Sequence, residues 1–244
     1  MLYSAALRAA GALYGDERLL EKGRRLCQTI RAFSFDGEWF RDQALRRDGV
    51  LIPGGEATEV CQYYAFFFRV ADRARHPQLY HRLLDEFSPA SRAAGAHPQI
   101  APANAFIGNY LRLELLSQAG RSRQIMEEIK TFFAPMAALT GTLWEHMGPC
   151  ASCDHGFASH AACSLIRDVL GLRRTGANSL LLHIPDLPLE HCRVVLPLPE
   201  GPLEVAGRRS GSAVSPRICL PRGYTIQITA DPCLTVVRKE ILPC

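Results

Sequence analysis

The sequence predicts a mainly α-helical protein that ends in a small antiparallel β-domain. Three observations carry that prediction. Up to Leu172, apolar residues recur at helical spacing in about seven segments, read by matching the 3.6-residue period. Those segments alternate in character, nearly all-apolar helices following amphipathic ones, which is the pattern of a double-layered helical ring with a dry inner and a half-wet outer layer. After Gly176 the pattern shifts to short β-like runs, and nine of the sixteen prolines fall there. The expected domains are therefore an incomplete helical domain over 1–175 and a β-domain over 176–244.

In chain order, residues 2–13 and 17–32 form an αα-hairpin. Gly15 suits a helix C-terminus, and Asp16 suits an N-cap with acids following in the first turn. Residues 33–56 read as irregular, with turns at Phe35-Asp36-Gly37 and Pro53-Gly54-Gly55. Trp39 lies between those turns and is read as a packing anchor or, alternatively, as the wall of a sugar cleft. The segment from Thr58 to Val70 is apolar almost all round, so it is expected to be buried on every side. Within it Glu59 needs a cleft or a partner, because an unpaired buried carboxylate is costly, and it is the second candidate for a site carboxylate, at the substrate. Pro77 opens a helix to Phe87 at its first turn. Helices over 103–119 and 122–138 follow, separated by Gly120, and a last helix covers 156–170. Beyond Gly176, the runs 179–184, 193–198 and 224–229 read as strands, separated by turns at Pro185-Asp186, Pro199 to Pro202, and Pro221 to Gly223.

The chemistry concentrates between the last two helices. Thr140-Gly141-Thr142-Leu143-Trp144-Glu145-His146 is followed by Ser152-Cys153-Asp154-His155-Gly156. Gly141, Gly148 and Pro149 force a loop there, and loops held between packed helices disproportionately carry functional side chains. One rival reading is zinc at Cys150-x-x-Cys153 with His155, His160 and Cys163. A single such pair is weak evidence, the second pair lacks the usual spacing, and no metal or cofactor is expected.

Thr142-Leu143-Trp144-Glu145, then Ser152-Cys153-Asp154-His155 and Gly156-Phe157-Ala158-Ser159, resemble the late signature of α-L-rhamnosidase glycoside hydrolases. The resemblance implies part of a six-hairpin (α/α)6 barrel followed by a β-domain, and an inverting mechanism. It implies Glu145 as the general base that activates water, with Trp144 and His155 at the sugar. Asp154 stands where the signature has Asn. The family's early acidic region is echoed by Asp16-Glu17-Arg18-Leu19, but the flanking residues are absent and capping explains these residues. The implied general acid would therefore lie upstream of Met1. The expected function is a glycosidase carrying the base half of the site, or a non-catalytic carbohydrate-binding or scaffold relic. A half-barrel would bare apolar faces, implying self-association or a partner chain.

Composition bounds the rest. A net charge of +4 with scattered Lys and Arg gives no basic stripe, so nucleic acid is not expected. No apolar run approaches the roughly 20 residues of a membrane span. Met1 to Leu13 lacks the basic start and cleavage site of a leader. The nine cysteines are read as mostly reduced and buried, hence a cytoplasmic chain.

Overall fold

The computed structural model describes residues 1–148 and 150–243, the side chain of Pro53 excepted. It divides into two compact units. One comprises Met1–Ala119 and Glu128–His160; the other comprises Gly120–Glu127 and the residues from Ala161 onward.

The first unit opens with α1 (Leu2–Tyr14) and α2 (Glu17–Ser34). Gly15 sits in the left-handed region at φ 66°, and the Asp16 carboxylate accepts from the Arg18 and Leu19 backbone N–H groups. The capping reading of Asp16 is thus its geometry. The stretch expected to be irregular instead holds a hairpin, β1 (Gln43–Arg47) against β2 (Val50–Gly54). Its loop is Asp48-Gly49, at φ 49° and 80°, a turn of the kind two-residue hairpins require. Pro53 and Gly54, expected as a turn, lie in β2. A two-stranded ribbon is all edge, so a proline there forfeits no central ladder bond.

A short parallel pair, β3 (Ala57–Thr58) with β4 (Ile100–Ala101), frames the two central helices of this unit. These are α3 (Glu59–Phe67) and α6 (Phe106–Gln118). The Thr58 hydroxyl caps α3 by accepting from the Cys61 N–H at 3.1 Å. Between them come α4 (Pro77–Asp85), opened by its proline, and the five-residue α5 (Pro89–Ala93). Next α7 (Ser122–Glu128) runs through a π turn, Ile129–Phe133, into α8 (Ala134–Thr140). Pro135 has no N–H to give the regular ladder, and the π turn before it absorbs the mismatch. A 3₁₀ turn (Gly156–Ser159), α9 (His160–Ser164) and a second π turn (Leu165–Val169) complete the helices.

Arg112 is 0% exposed in the middle of α6. It donates two 2.6 Å bonds to the Glu128 carboxylate, one of 2.6 Å to Leu83 O, and one of 3.1 Å to the Tyr63 hydroxyl. One guanidinium therefore ties α6 to α3, α4 and the end of α7. Burial pushes the Tyr63 phenol well above its ordinary range, so it stays neutral and can serve as donor and acceptor.

The second unit is built on two sheets. β6 (Ser179–Ile184) lies between β5 (Leu172–Arg174), antiparallel, and β10 (Thr225–Ala230), parallel. The other sheet runs β7 (His191–Leu198), β8 (Gly201–Ser210), β9 (Ala213–Leu220), all antiparallel, with β11 (Thr235–Val236) and β12 (Glu240–Pro243) parallel to β9. Leu172, Leu180, Leu182, Leu203, Val205, Ile218 and Tyr224 form its core. The sheets are thus mixed, which corrects the expected all-antiparallel domain. Alternating burial encodes which face is dry but not the direction of the neighbouring strand.

The cysteines also depart from expectation. Cys27 and Cys61 are buried, but Cys150, Cys153, Cys163 and Cys233 are exposed, and Cys219 is disulfide-bonded. Burial, and then the nearby Asp42 carboxylate, push the Cys61 thiol up to about 12.

The buried ion pair gives a stability test. Glu128→Ala strands the Arg112 charge and is expected to lower urea-unfolding stability by about 3–5 kcal/mol. The double variant Arg112→Met/Glu128→Leu is expected to lose clearly less, because no charge is left buried. Equal losses in the two variants would contradict this account.

Candidate active site

The loop after α8 is built by backbone hydrogen bonds rather than by regular structure. Gly141 ends α8 in the left-handed region at φ 76°, its N–H reaching Ala137 O at 2.8 Å. The Thr140 hydroxyl then accepts the Trp144 indole N–H at 2.8 Å and meets the Thr142 hydroxyl at 2.8 Å. Thr142 in turn donates to the Cys153 carbonyl. Glu145 N–H donates to Ser152 O, and His155 N–H to Leu143 O, each at 2.9 Å. On the other side, Phe106 N–H donates to Glu145 O at 2.9 Å and Met147 N–H to Asn104 O at 3.1 Å. The Glu145 backbone is therefore pinned from both sides, between residue 152 and the first residue of α6. Pro149 lies outside the described residues.

Trp144, Glu145 and His155, expected together from the sequence, do share this loop, and all three are half-buried. Among the described residues no side-chain hydrogen bond or ion pair engages the Glu145 carboxylate, and no aromatic ring packs on Trp144. The His155 ring lies 4.6 Å from Phe106 and 5.6 Å from Phe157, centroid to centroid. Its Nε2 is buried and meets no hydrogen-bond partner among the described residues. An aromatic floor, an unpartnered ring nitrogen and an unpartnered carboxylate thus lie along one loop. Phe106 escaped the sequence reading because aromatic residues at helix starts usually only pack; Phe157, 74% exposed, belonged to the quoted motif but had no role assigned.

Trp39 and Glu59 lie elsewhere and are enclosed. Trp39 is 3% exposed, edge-on to Phe87 and His97 and beneath the Arg82 guanidinium at 4.9 Å. It is a packing anchor, so the sugar-wall alternative has no exposed ring to rest on. Glu59 is 0% exposed. Its carboxylate accepts from Arg92 at 2.7, 2.9 and 3.0 Å, from Ala103 N–H at 2.8 Å, and from the Tyr63 hydroxyl. Arg92 also reaches Asn109 Oδ1 at 2.7 Å. Glu59 borders a small cleft of about 160 Å³, but with its charge neutralised and its lone pairs taken.

Of the two histidines in the rival metal reading, one faces a carboxylate. His160 Nε2 sits 3.1 Å from Glu114, with the ring edge-on to Tyr110 at 4.0 Å. Asp154, exposed, makes no side-chain bond among the described residues.

No family profile matches the chain, and no curated protein matches it. Among solved structures, it is similar to a GH78 family rhamnosidase of Bacillus sp. GL1, with a TM-score of 0.77 and 19% sequence identity. The match covers 98% of this chain and 26% of that one, so the chain spans about a quarter of the rhamnosidase's length. At that identity the likeness is one of fold. The likeness is to a protein of the family that the 140–159 motifs resemble. No helix among the described residues is long and apolar enough to cross a membrane.

Two measurements test the site as built. With one tryptophan left in each variant, acrylamide is expected to quench Trp39→Phe several times more efficiently than Trp144→Phe, because Trp144 is half-exposed and Trp39 is not; the reverse order would contradict the burial. Under native conditions at pH 8, mass spectrometry after thiol labelling is expected to find Cys150, Cys153, Cys163 and Cys233 modified fast, and Cys27 and Cys61 only after denaturation. Stoichiometric zinc lost on Cys150→Ser would restore the metal reading.

Proposed function

We propose that this chain carries the water-activating half of an inverting glycosidase site on part of a six-hairpin (α/α)6 barrel. Glu145 is the general base, and Trp144 and His155 contact the sugar. The observation that supports this is the Glu145 carboxylate itself, fixed at its backbone from both sides and left without a side-chain partner. A base that must hold a water needs its lone pairs free and its position fixed. Glu59, saturated by Arg92, Ala103 and Tyr63, fails the first of those requirements.

The sugar class follows from the fold likeness and the late motif together, and is a rhamnoside-like glycoside. Trp144 offers an apolar face to the sugar ring, and the His155 ring nitrogen offers a hydrogen bond to a hydroxyl. An inverting site also needs an acid on the other side of the glycosidic bond, with the carboxyl groups about 6.5–9.5 Å apart to admit the water. In this reading the acid comes from outside these residues, from a preceding segment or a partner chain. The bare apolar face of α1 supports such a neighbour: Leu2 is 64% exposed, Leu13 77% and Tyr14 77%.

The test uses a rhamnosyl substrate whose leaving group needs no protonation. Slow hydrolysis with inversion is expected, and Glu145→Gln is expected to reduce it by about 10²-fold or more. Glu59→Gln is expected to act mainly on stability. Residual turnover unchanged in Glu145→Gln would sink the base assignment. Saturable rhamnose binding reported by Trp144 fluorescence, with no turnover of any substrate, would make the chain a carbohydrate-binding protein instead.

A further inference from the structure

The second unit contains a cavity of about 390 Å³ between the helical residues 162–170 and the inner face of the β7-β8-β9 sheet. Register explains why it exists. Across that face, Leu196 pairs with Leu203, and Val194 with Val205 and then Ile218, so these rows are filled by large apolar side chains. The next row is Cys192, Gly207, Pro216. A Cβ on Gly207 would stand 3.3 Å from the Cys192 sulfur, so the thiol lies over the glycine and nothing larger fills the row. Leu165, on the helical wall, is left 41% exposed at the opening.

Two of the charged residues that line the cavity are already committed. Arg209, the charged residue on the inner face of β8, donates to Leu187 O at 2.6 Å and Gly211 O at 2.7 Å and pairs with Asp186 at 2.7 Å. Arg193 points outward to Glu204 at 2.9 Å. Glu190, His191 and Arg208, which also line the hollow, are exposed to solvent, and the rest of its lining is mostly apolar. Its volume falls within the range of small-molecule pockets, roughly 300–1,000 Å³, and apolar hollows of this kind admit apolar guests.

We propose that this cavity is a binding site for a neutral apolar small molecule, an aromatic or alicyclic ring system seated over the Cys192–Gly207–Pro216 row. The volume of the hollow and its mostly apolar lining favour a small molecule over a peptide segment. Cys192 is the single thiol at the site, and burial pushes its pKa up, so it reports occupancy without itself reacting fast.

The probe is N-phenyl-1-naphthylamine, neutral and fluorescent in apolar surroundings, with the full 244-residue chain. Saturable one-to-one binding is expected. Cys192→Phe fills the row with an aromatic ring over a cross-strand glycine, a pairing that sheets tolerate well. It is expected to weaken binding at least about tenfold while Tm holds or rises. Val195→Phe, on the opposite face of β7, is expected to leave binding unchanged. A second readout does not depend on any variant folding: probe at about ten times its Kd should slow maleimide alkylation of Cys192 roughly tenfold, and of no other thiol. Absence of saturable binding, equal weakening in both Phe variants, or an unprotected Cys192 would each overturn the proposal.

Discussion

Two arginines, the buried Arg112 and the half-buried Arg92, hold the first unit together. Arg112 fixes α6 to the Glu128 carboxylate, to the α4 carbonyl of Leu83 and to Tyr63. Tyr63 passes its own hydrogen to Glu59, which takes Arg92. The result is a connected chain of buried charges and hydroxyls in which each acid faces a cation. Such a network contributes little net stability against an apolar core of the same shape, but breaking one member is costly, so it fixes which helix sits where. Its consequence reaches the candidate site. α5 buries none of its residues and is held through Arg92 to Glu59 and Asn109. Glu59 also holds Ala103 N–H, and three residues later Phe106 N–H meets the Glu145 carbonyl.

That geometry divides labour between two carboxylates. Glu59 and Glu145 both attach to the segment 103–106, one through its side chain and the other through its backbone. Removed from water, Glu59 is tolerable only because Arg92 meets it with two nitrogens. Glu145 remains half-exposed, where water rather than a cation solvates it. A carboxylate locked to a guanidinium has its lone pairs committed. One without such a partner keeps them free, which is what a general base requires.

Much of this was legible in the sequence, and the failures have physical causes. The α1–α2 hairpin was readable because Gly15 and Asp16 act locally, through their own φ and their own side chain. So was the apolar α3, whose composition leaves it no wet face. The hairpin at 43–54 was missed although Asp48-Gly49 announces it, because the flanking Arg46 and Arg47 obscure the alternation. β8 was missed for a similar reason, since Gly207 and Arg209 interrupt its apolar face. Parallel pairing of β10 with β6 depends on a partner more than 40 residues away, and no local signal carries it. At the site, the loop was located correctly by its glycines and chemistry. What could not be read was its frame, since bonds such as Phe106 N–H to Glu145 O join segments remote in sequence and involve only backbone.

Likeness of fold at 19% identity has a ready account in these terms. Most core positions ask only for apolar volume, and cores tolerate wide exchange if volume and pattern are kept. The specified contacts are few: a cap, a left-handed turn, two guanidiniums paired with carboxylates. A chain can therefore keep such a fold while nearly all its residues differ, and the fold by itself says little about chemistry. Chemistry must be argued from side chains that the fold does not need. By that criterion Trp39, packed among Phe87, His97 and Arg82, and Glu59, paired with Arg92, carry structural duties. The Glu145 carboxylate, the Trp144 ring face and the Nε2 of His155 have no such duty: the loop is closed by threonine hydroxyls, the Trp144 indole N–H and backbone groups, and none of its closing bonds uses the Glu145 carboxylate. A rigid loop that leaves a carboxylate, an indole face and an imidazole nitrogen unspent is the arrangement a ligand would complete.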